Sequence, residues 1–317
     1  MLSVKNISYA YAEKTVLTAI NFSVKKGEHI ALMGESGCGK STLLKAIYGL
    51  FDIEKGGIYY SEEKLLGPKF NLVPGHSFMK YLSQDLDIMP YTSVSQNIGD
   101  FLSNFYPLKK KKRVKELLEV VGLTKYADTH VRFLSGGQKQ RVALARVLAL
   151  EPEVLLLDEP FSQIDNFKKH QLRYQLFEYI KKKQISCITA THDKDDVLPF
   201  ADKVLILKNG KQKSFTSPKR TYLNPKDIYT ASLFSEISTI SEKSLQLSAS
   251  RKKIILYPHQ IDICKQGDFT AIVKASFFRG SFYIIYLTYE NTTLLSESKV
   301  DFNVDSVVRF KVNLPQQ

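Results

Sequence analysis

The chain has no tryptophan and only three cysteines among its 317 residues. Cys38, Cys187 and Cys264 lack the paired spacing of metal-binding cysteines, which argues against a cysteine-based metal site. No apolar run approaches the roughly 20 residues that cross a bilayer as a helix. The stretch 1–5 lacks the apolar core of a signal peptide. We therefore expect a soluble cytoplasmic protein that depends on partners for any membrane passage.

Acidic residues are also scarce relative to basic ones. The chain has 45 lysines and arginines against 32 aspartates and glutamates, a formal net charge of +13. Nucleic-acid binding is one explanation of such a balance, but no RNA- or DNA-binding motif accompanies it. An anionic membrane leaflet attracts the same charge, and the basic run 109–113 indicates the start of a solvated helix. We therefore expect a location beneath a membrane and do not expect nucleic acid as a partner.

One segment that is present has the form G-x-x-x-x-G-K-[ST]. It consists of Gly34, Glu35, Ser36, Gly37, Cys38, Gly39, Lys40, Ser41 and Thr42. The apolar run 29–33 predicts a strand before it, and the spacing of Leu43, Leu44 and Ile47 predicts a helix after it. Such a strand, loop and helix N-terminus direct backbone N–H groups at phosphates. We expect ATP here, with Lys40 on the β- and γ-phosphates and Ser41 on Mg²⁺.

A second apolar run, 154–157, ends in two carboxylates. A continuous apolar run is typical of a central parallel strand that is buried on both faces. Open α/β sheets place their chemistry at the carboxyl ends of such strands. Asp158 is therefore a candidate partner of Mg²⁺, directly or behind a ligand, and Glu159 is the candidate base for the attacking water. The alternative is a pair of solvated loop acids, which the phosphate-binding segment upstream disfavours.

Two polar residues follow further short apolar runs. His192 comes just after the run 185–190, where it would either cap the next helix or contact the γ-phosphate. Beside the other motifs, we favour the phosphate contact. Gln84 follows a short apolar run in the same way, but on its own it indicates nothing.

The sequence Leu-Ser-Gly-Gly-Gln occupies residues 134–138. Ser135 is a good helix N-cap, and the apolar spacing of the following residues predicts a helix behind it. The N–H groups of Gly136 and Gly137 would be exposed beside the serine hydroxyl. The segment is therefore a second candidate anion-binding helix terminus.

Together these motifs resemble an ATP-binding cassette (ABC) ATPase, the nucleotide-binding subunit of an ABC transporter, over roughly residues 1–235. Gly34 to Thr42 match the Walker A loop, and residues 154–159 match Walker B. Residues 134–138, with Ser135, Gly136, Gly137 and Gln138, match the signature loop. Gln84 matches the Q-loop glutamine and His192 the switch histidine. Residues 162–165 match the D-loop, with Gln163 and Ile164 in place of its usual Ala and Leu.

The resemblance implies further roles. Tyr11 fits the aromatic residue that stacks on adenine, although Tyr9 lies close enough to compete. Ser41, Gln84 and Asp158 are the implied Mg²⁺ contacts. The signature loop closes on the γ-phosphate held by another copy, so the active unit is a head-to-tail dimer with two ATP molecules in its interface. The mostly helical segment from about 88 to 150 is expected to accept a coupling helix of a membrane permease.

The predicted fold is thus an α/β P-loop NTPase domain over 1–235 with an inserted helical subdomain, followed by a small all-β domain over 236–317. Alternating runs such as 269–278, 282–289 and 307–312, with turn residues between them, suggest a small barrel. This part resembles the TOBE-type barrel of importer ATPases. The residues Tyr257, Pro258 and His259 replace its frequent Arg-Pro-Glu. The alternative is a β extension used only for dimer contacts.

The function that this resemblance implies is ATP hydrolysis coupled to import through a permease fed by an external binding protein. The protein would lie peripherally on the inner face of the cell membrane. Relatives that import ferric iron or polyamines are the most similar types. Two alternatives stay open at this point. One is an exporter ATPase, against which the chain beyond about residue 240 argues. The other is a cassette protein acting on nucleic acid or ribosomes, which usually has coiled coils or two cassettes.

Overall fold

The computed structural model describes residues 1–247, 250 and 252–314. The chain divides into two compact units, Met1–Pro218 and Lys219–Gln317. The domain boundary expected after residue 235 thus falls inside the second unit. Within that unit the ring of Tyr222 stacks on that of Tyr257 with 4.5 Å between centroids. The boundary after residue 235 stays a prediction.

The first unit contains a ten-stranded sheet with the order β5-β4-β1-β2-β10-β9-β3-β8-β7-β6. Its strands are β1 (Leu2–Tyr11), β2 (Lys14–Val24), β3 (His29–Met33), β4 (Lys55–Tyr60), β5 (Glu63–Leu65), β6 (Met79–Leu82), β7 (Val154–Asp158), β8 (Ser186–Ala190), β9 (Lys203–Lys208) and β10 (Lys211–Thr216). The neighbours β9-β3-β8-β7-β6 are all parallel. Their carboxyl ends therefore share one edge of the sheet, and the phosphate loop, Gln84, Glu159 and His192 all follow strands that end there.

Six helices belong to this unit: α1 (Lys40–Tyr48), α2 (Val94–Gly99), α3 (Pro107–Val120), α4 (Gly136–Leu148), α5 (Asn166–Lys182) and α6 (Lys194–Val197). The inserted segment between β6 and β7 holds α2, α3 and α4, with short 3-10 turns at Thr124–Tyr126 and Val131–Phe133. The basic run 109–113 lies near the start of α3, as the sequence predicts.

The strand β7 shows why the centre of the sheet is continuously apolar. Leu155 and Leu157 point into a core cluster shared with α4 and α5, whereas Val154 and Leu156 belong to a cluster shared with α1. Side chains alternate between the faces of a strand, and helices cover both faces of this sheet. All five residues of β7 are buried. The burial of the strand fixes the position of its last residue, Asp158, at the carboxyl edge of the sheet.

The second unit is mostly β-structure. It contains α7 (Pro218–Leu223), α8 (Ile228–Ser232), a 3-10 turn (Pro258–Gln260), and the strands β11 (Ser238–Ser241), β12 (Lys253–Leu256), β13 (Ile261–Ile263), β14 (Phe269–Phe278), β15 (Tyr283–Tyr289), β16 (Thr292–Ser298) and β17 (Val307–Val312). Five of them form an antiparallel sheet with the order β13-β17-β14-β15-β16. The hydroxyl of Ser296 on β16 donates to the carbonyl of Ile261 on β13 at 2.6 Å. The two edges of the sheet thus meet, and the sheet is nearly closed.

Within residues 1–247, 250 and 252–314, no helix is both long and apolar enough to cross a membrane.

Candidate nucleotide site

The glycine-rich loop connects β3 to α1, and Lys40 is the first residue of that helix. Gly39 has a φ of 107°, and a Cβ there would lie 2.9 Å from Cδ2 of Leu17. Only glycine combines this left-handed conformation with so close a neighbour. The ammonium of Lys40 donates to the carbonyls of Gly34 (2.7 Å) and Glu35 (3.0 Å) and is largely buried. The lysine therefore lies folded over the loop, where a phosphate could replace the two carbonyls.

A cavity of about 630 Å³ opens beside this loop. Of the loop, Ser36, Gly37, Gly39, Lys40, Ser41 and Thr42 line the cavity, whereas Gly34, Glu35 and Cys38 do not. Val16 of β2 completes its walls together with Gln84, Glu159, Ser162 and His192. The structure thus brings together residues that lie as far apart in sequence as 16 and 192. Apart from Val16, they follow carboxyl ends of the parallel strands or lie at the start of α1.

Asp158 lies at the end of β7 and is almost fully buried. Its Oδ1 accepts a hydrogen bond from the hydroxyl of Ser41 at 3.0 Å, and its Oδ2 accepts one from the hydroxyl of Tyr81 at 3.1 Å. Burial raises the pKa of this carboxyl, and the two hydrogen bonds act in the opposite direction. The role of Tyr81 could not be predicted from the sequence, because nothing in the pattern of β6 distinguishes a hydroxyl that meets an aspartate 77 residues away.

Ser41 and Gln84 line the cavity, and Asp158 lies behind Ser41 without lining it; the oxygen atoms of these three residues form a donor set that suits Mg²⁺. Magnesium prefers oxygen ligands and usually combines one or two carboxylates with substrate phosphates and water. No cluster of three or more His, Cys, Asp or Glu side chains that could hold a metal occurs in the described part of the chain. These residues therefore fit an ion that binds together with a nucleotide, and they do not form an all-protein metal cage.

Glu159 and His192 are in direct contact. Nδ1 of His192 lies 3.0 Å from Oε1 of Glu159, and the histidine side chain is 70% exposed whereas the glutamate is 15% exposed. Glu159 has a φ of 50°, a left-handed conformation that is uncommon outside glycine. Its N–H donates to the carbonyl of Ala190 at 2.9 Å. The Glu159 carboxylate is therefore largely shielded from solvent beside the cavity, whereas the His192 imidazole is accessible from the cavity.

The loop that carries His192 is held by a buried ion pair. Arg173 on α5 donates from Nε to Oδ1 of Asp196 at 2.5 Å and also contacts Asp193. The hydroxyl of Thr191 donates to the other oxygen of Asp196. Burial raises the pKa of Asp196, against the hydrogen bond from Thr191 and the charge of Arg173. Sequence reasoning missed Arg173, since no motif marks it, and its contacts fix the chain that follows His192.

The signature loop lies at the start of α4, as expected. Ser135 is the N-cap, and its hydroxyl accepts from the N–H of Gln138 at 3.3 Å while its own N–H donates to Oε1 of Gln138 at 2.8 Å. Ser135 and Gly136 are exposed. A Cβ on Gly137 would lie 2.8 Å from the carbonyl oxygen of Gln163, so glycine is required there. None of residues 134–138, all of which the structure describes, lines the 630 Å³ cavity.

A buried glutamine that the sequence analysis overlooked links the signature helix to the cavity. Nε2 of Gln140 donates to the carbonyl of Glu159 at 2.9 Å, and Oε1 of Gln140 accepts from the N–H of Gln163 at 2.9 Å. Its side chain is 2% exposed. The signal in the sequence was a glutamine at a position of α4 where the helical spacing of apolar residues predicts an apolar side chain.

The two candidate adenine-stacking tyrosines belong to one aromatic cluster. Tyr9 stacks on Phe51 with 4.7 Å between ring centroids and 19° between planes. Tyr11 meets both rings edge-on, at 5.0 Å from Tyr9 and 5.4 Å from Phe51. Tyr11 is 44% exposed and does not line the 630 Å³ cavity. One face of Tyr9 is therefore already occupied, which favours Tyr11 for contact with a base.

The sequence of the chain is similar to those of known ATP-binding proteins. The profile of the ABC transporter family matches residues 17–162. Two Haemophilus influenzae proteins, from strains Rd and 86-028NP, are named Fe(3+) ions import ATP-binding proteins FbpC 2 and FbpC. Each is 32% identical to this chain over 324 aligned positions, covering 95% of this chain and 91% and 92% of their own lengths.

Solved structures give the same result for the fold. CbiO1 from Clostridium perfringens, part of the ABC transporter complex cbiONQ, has a TM-score of 0.62 and 31% identity over 70% of this chain and 90% of its own. The ATP-binding cassette MJ0796, in a dimeric post-hydrolysis state bound to ADP and Pi, has a TM-score of 0.60 and 26% identity over 69% of this chain and 99% of its own. These similarities confirm the predicted α/β P-loop fold.

Proposed function

Because this chain belongs to the ATP-binding subunits of ABC transporters, we propose that two copies close on ATP and drive the import of ferric iron through a membrane permease. The predicted ATPase activity and importer type are confirmed by the Fe(3+) import relatives, whose similarity extends over 95% of the chain. The exporter alternative loses its support, because this alignment includes the C-terminal unit. The cargo, the roles of individual residues and the partners are our proposals.

The phosphate loop binds the β- and γ-phosphates of ATP. The N–H groups at the start of α1 point toward bound phosphates, where the positive end of the helix dipole favours negative charge. Lys40 exchanges its bonds to the carbonyls of Gly34 and Glu35 for phosphate oxygens. Ser41, Asp158 and Gln84 would hold Mg²⁺, which when bound neutralises charge on the phosphates. Tyr11 stacks on the adenine.

Glu159 accepts the proton of the attacking water. Its carboxylate lies on the cavity and is hydrogen-bonded through one oxygen to His192. The second oxygen is left to accept a proton from water. His192 orients the carboxylate through Nδ1 and can present Nε2 to the γ-phosphate. The contact between these two residues beside the phosphate loop is the observation that carries the assignment of hydrolysis to this site.

The signature loop acts on the nucleotide of a second copy. Ser135 and Gly136 are exposed at a capped helix N-terminus, a good anion site, yet they do not line the cavity of their own copy. In a head-to-tail dimer each signature loop lies over the partner's phosphate loop, so this anion site meets the nucleotide of the other copy. The dimeric state of the similar MJ0796 cassette supports dimerisation. ATP then stabilises the closed dimer, and hydrolysis releases it.

The inserted helical segment receives the permease. A groove of about 940 Å³ runs along α2 and α3, and it is lined by Met89, Val114 and Leu118 with polar residues at its rim. Such an apolar groove accepts one face of an amphipathic helix. The assembly of the similar CbiO1 protein in cbiONQ supports a permease partner. The protein then lies peripherally on the inner face of the membrane, and an external binding protein delivers the cargo.

Iron uptake by cells that produce this chain together with a membrane permease tests the proposal. With wild-type chain, ATP-dependent uptake of radioactive ferric iron is expected, and it is lost with Lys40→Ala. Uptake of polyamine without uptake of iron would reject the cargo while leaving the ATPase assignment intact. Purification of ribosomes or nucleic acid with the Glu159→Gln chain, and no permease, would reject the transport function.

A further inference from the structure

Gln140 is the only described side chain that hydrogen-bonds both the backbone of Glu159 and that of the D-loop residue Gln163. It lies one turn into α4, just behind the signature loop, and its side chain is 2% exposed. Glutamine supplies both a donor and an acceptor through one planar amide. One side chain therefore connects the helix that presents the signature loop with the residue that serves as base.

The backbone of Glu159 needs such support. A left-handed conformation at a non-glycine residue is strained and persists only where the surroundings hold it. The N–H of Glu159 is fixed by Ala190, and its carbonyl accepts from Nε2 of Gln140 and from Ser162. The N–H of Glu159 is thus held by β8, and its carbonyl is held by Gln140 of α4. A shift of α4 would act directly on the position of the carboxylate.

We propose that Gln140 is a positioning residue that couples the two nucleotide sites of the dimer. The inference rests on the proposed head-to-tail dimer, in which the signature loop of one copy contacts the partner's ATP while Glu159 of that copy acts on its own. When the partner's ATP draws in the signature loop, α4 carries Gln140 with it, and Gln140 sets Glu159 and the D-loop in place. Each site therefore becomes competent when the other is occupied.

The test is the ATPase rate of the full-length chain as a function of ATP concentration, for wild type and Gln140→Met. Methionine keeps the length of the side chain and removes both hydrogen bonds. We expect kcat to fall about 10- to 100-fold, the effect of a small misplacement of a catalytic group. The KM for ATP should change by less than about twofold, since the phosphate loop is intact. The Hill coefficient should fall from above 1 to about 1.

Two further variants keep the test informative. Gln260→Met is the matched control, because Gln260 is also a buried glutamine whose Oε1 accepts a backbone N–H, that of Tyr257 at 2.8 Å, but it lies in the second unit. It should leave kcat and the Hill coefficient unchanged. If Gln140→Met fails to fold, Gln140→Glu keeps the acceptor for Gln163 and removes the donor to Glu159. It should lower kcat and the Hill coefficient in the same way.

Several outcomes would overturn the coupling. They are a folded Gln140 variant with unchanged kcat and Hill coefficient, a variant that changes only KM, and a wild-type chain without cooperativity. A wild-type chain that does not hydrolyse ATP would instead refute the proposed function. The failure of the coupling and the failure of the function can therefore be told apart in the same set of assays.

Discussion

Nδ1 of His192 and Oε1 of Glu159 lie 3.0 Å apart, and this contact joins the ends of β8 and β7 at the wall of the phosphate-loop cavity. The two side chains differ greatly in exposure, at 70% for the histidine and 15% for the glutamate. A sheltered carboxylate that is oriented by an accessible imidazole suits the activation of water next to a phosphate. The relationship follows from adjacent parallel strands, because their last residues meet at one edge of the sheet.

The base role of Glu159 predicts the behaviour of Glu159→Gln. The amide keeps the shape of the side chain but cannot take a proton, so kcat should fall roughly 10²- to 10⁴-fold. ATP binding should persist, and an ATP-bound dimer should accumulate. Steady-state ATPase assays and light scattering measure both effects. Glu178→Gln, an exposed glutamate on α5, is the control. Normal turnover by Glu159→Gln would remove Glu159 from the base role.

Lys40→Ala should weaken ATP binding. The variant removes a charged donor that can reach phosphate oxygens, and hydrogen bonds to charged groups are worth enough to lower affinity roughly 10- to 100-fold. Titration with a fluorescent ATP analogue gives the dissociation constant. Lys26→Ala removes a lysine of similar charge from an exposed turn and should leave the affinity unchanged. An unaltered affinity in Lys40→Ala would count against the phosphate loop.

Tyr81→Phe should weaken the response to Mg²⁺. The hydroxyl of Tyr81 holds Oδ2 of Asp158, and burial already raises the pKa of that carboxyl. Loss of a hydrogen bond behind a metal ligand typically costs 10- to 100-fold in metal affinity, so the Mg²⁺ concentration at half-maximal ATPase should rise by about tenfold. Tyr48→Phe is the control, because its ring packs on Tyr81, whereas among the described residues the Asp158 carboxylate accepts from the hydroxyls of Ser41 and Tyr81. Equal Mg²⁺ dependence of both variants would contradict the role.

The stability of the first unit should depend on pH through His29. Nδ1 of this buried histidine contacts the carbonyl of Phe200, and burial lowers its pKa from 6.5 to about 4. The folded state therefore binds this proton less tightly than the unfolded state. The contribution of neutral His29 to the free energy of unfolding, about 3 kcal/mol, is complete above pH 6.5 and is lost as the pH falls toward 4.

Chemical denaturation between pH 7 and pH 4 tests this dependence. His29→Asn should lose the part of the slope between about pH 6.5 and pH 4 that this group causes. His170→Asn removes an exposed histidine of α5 and should keep the wild-type slope. Identical slopes for the wild type and His29→Asn would show that another group causes the acid destabilisation.

The sequence predicted the parts of the site that are local. A buried strand shows as a continuous apolar run, and the residues just after β3, β7 and β8 are the phosphate loop, Glu159 and His192. Parallel strands bring such residues to one edge whatever their order in the sheet. The capping of α4 by Ser135 is local as well, and it was predicted from the residue type alone.

The remaining residues could not be predicted, because their roles depend on partners far along the chain. Tyr81 bonds Asp158 across 77 positions, and Arg173 meets Asp196 across 23. Neither belongs to a recurring pattern. The strand β16 was not separated from its neighbours in the sequence either. Its pairing with β15 and its contact with Ile261 on β13 are set by the near closure of the C-terminal sheet.

In the proposed dimer each site needs the signature loop of a second copy, and disulfide cross-linking can detect that contact. One copy has Ser36→Cys in its phosphate loop, and the other has Ser135→Cys in its signature loop. Both contain Glu159→Gln so that ATP is retained. Addition of ATP should give a disulfide-linked heterodimer that is absent without nucleotide. ATP binding without any cross-link between copies, together with a cross-link inside one chain that contains both cysteines, would show that the signature loop does not reach the partner's nucleotide.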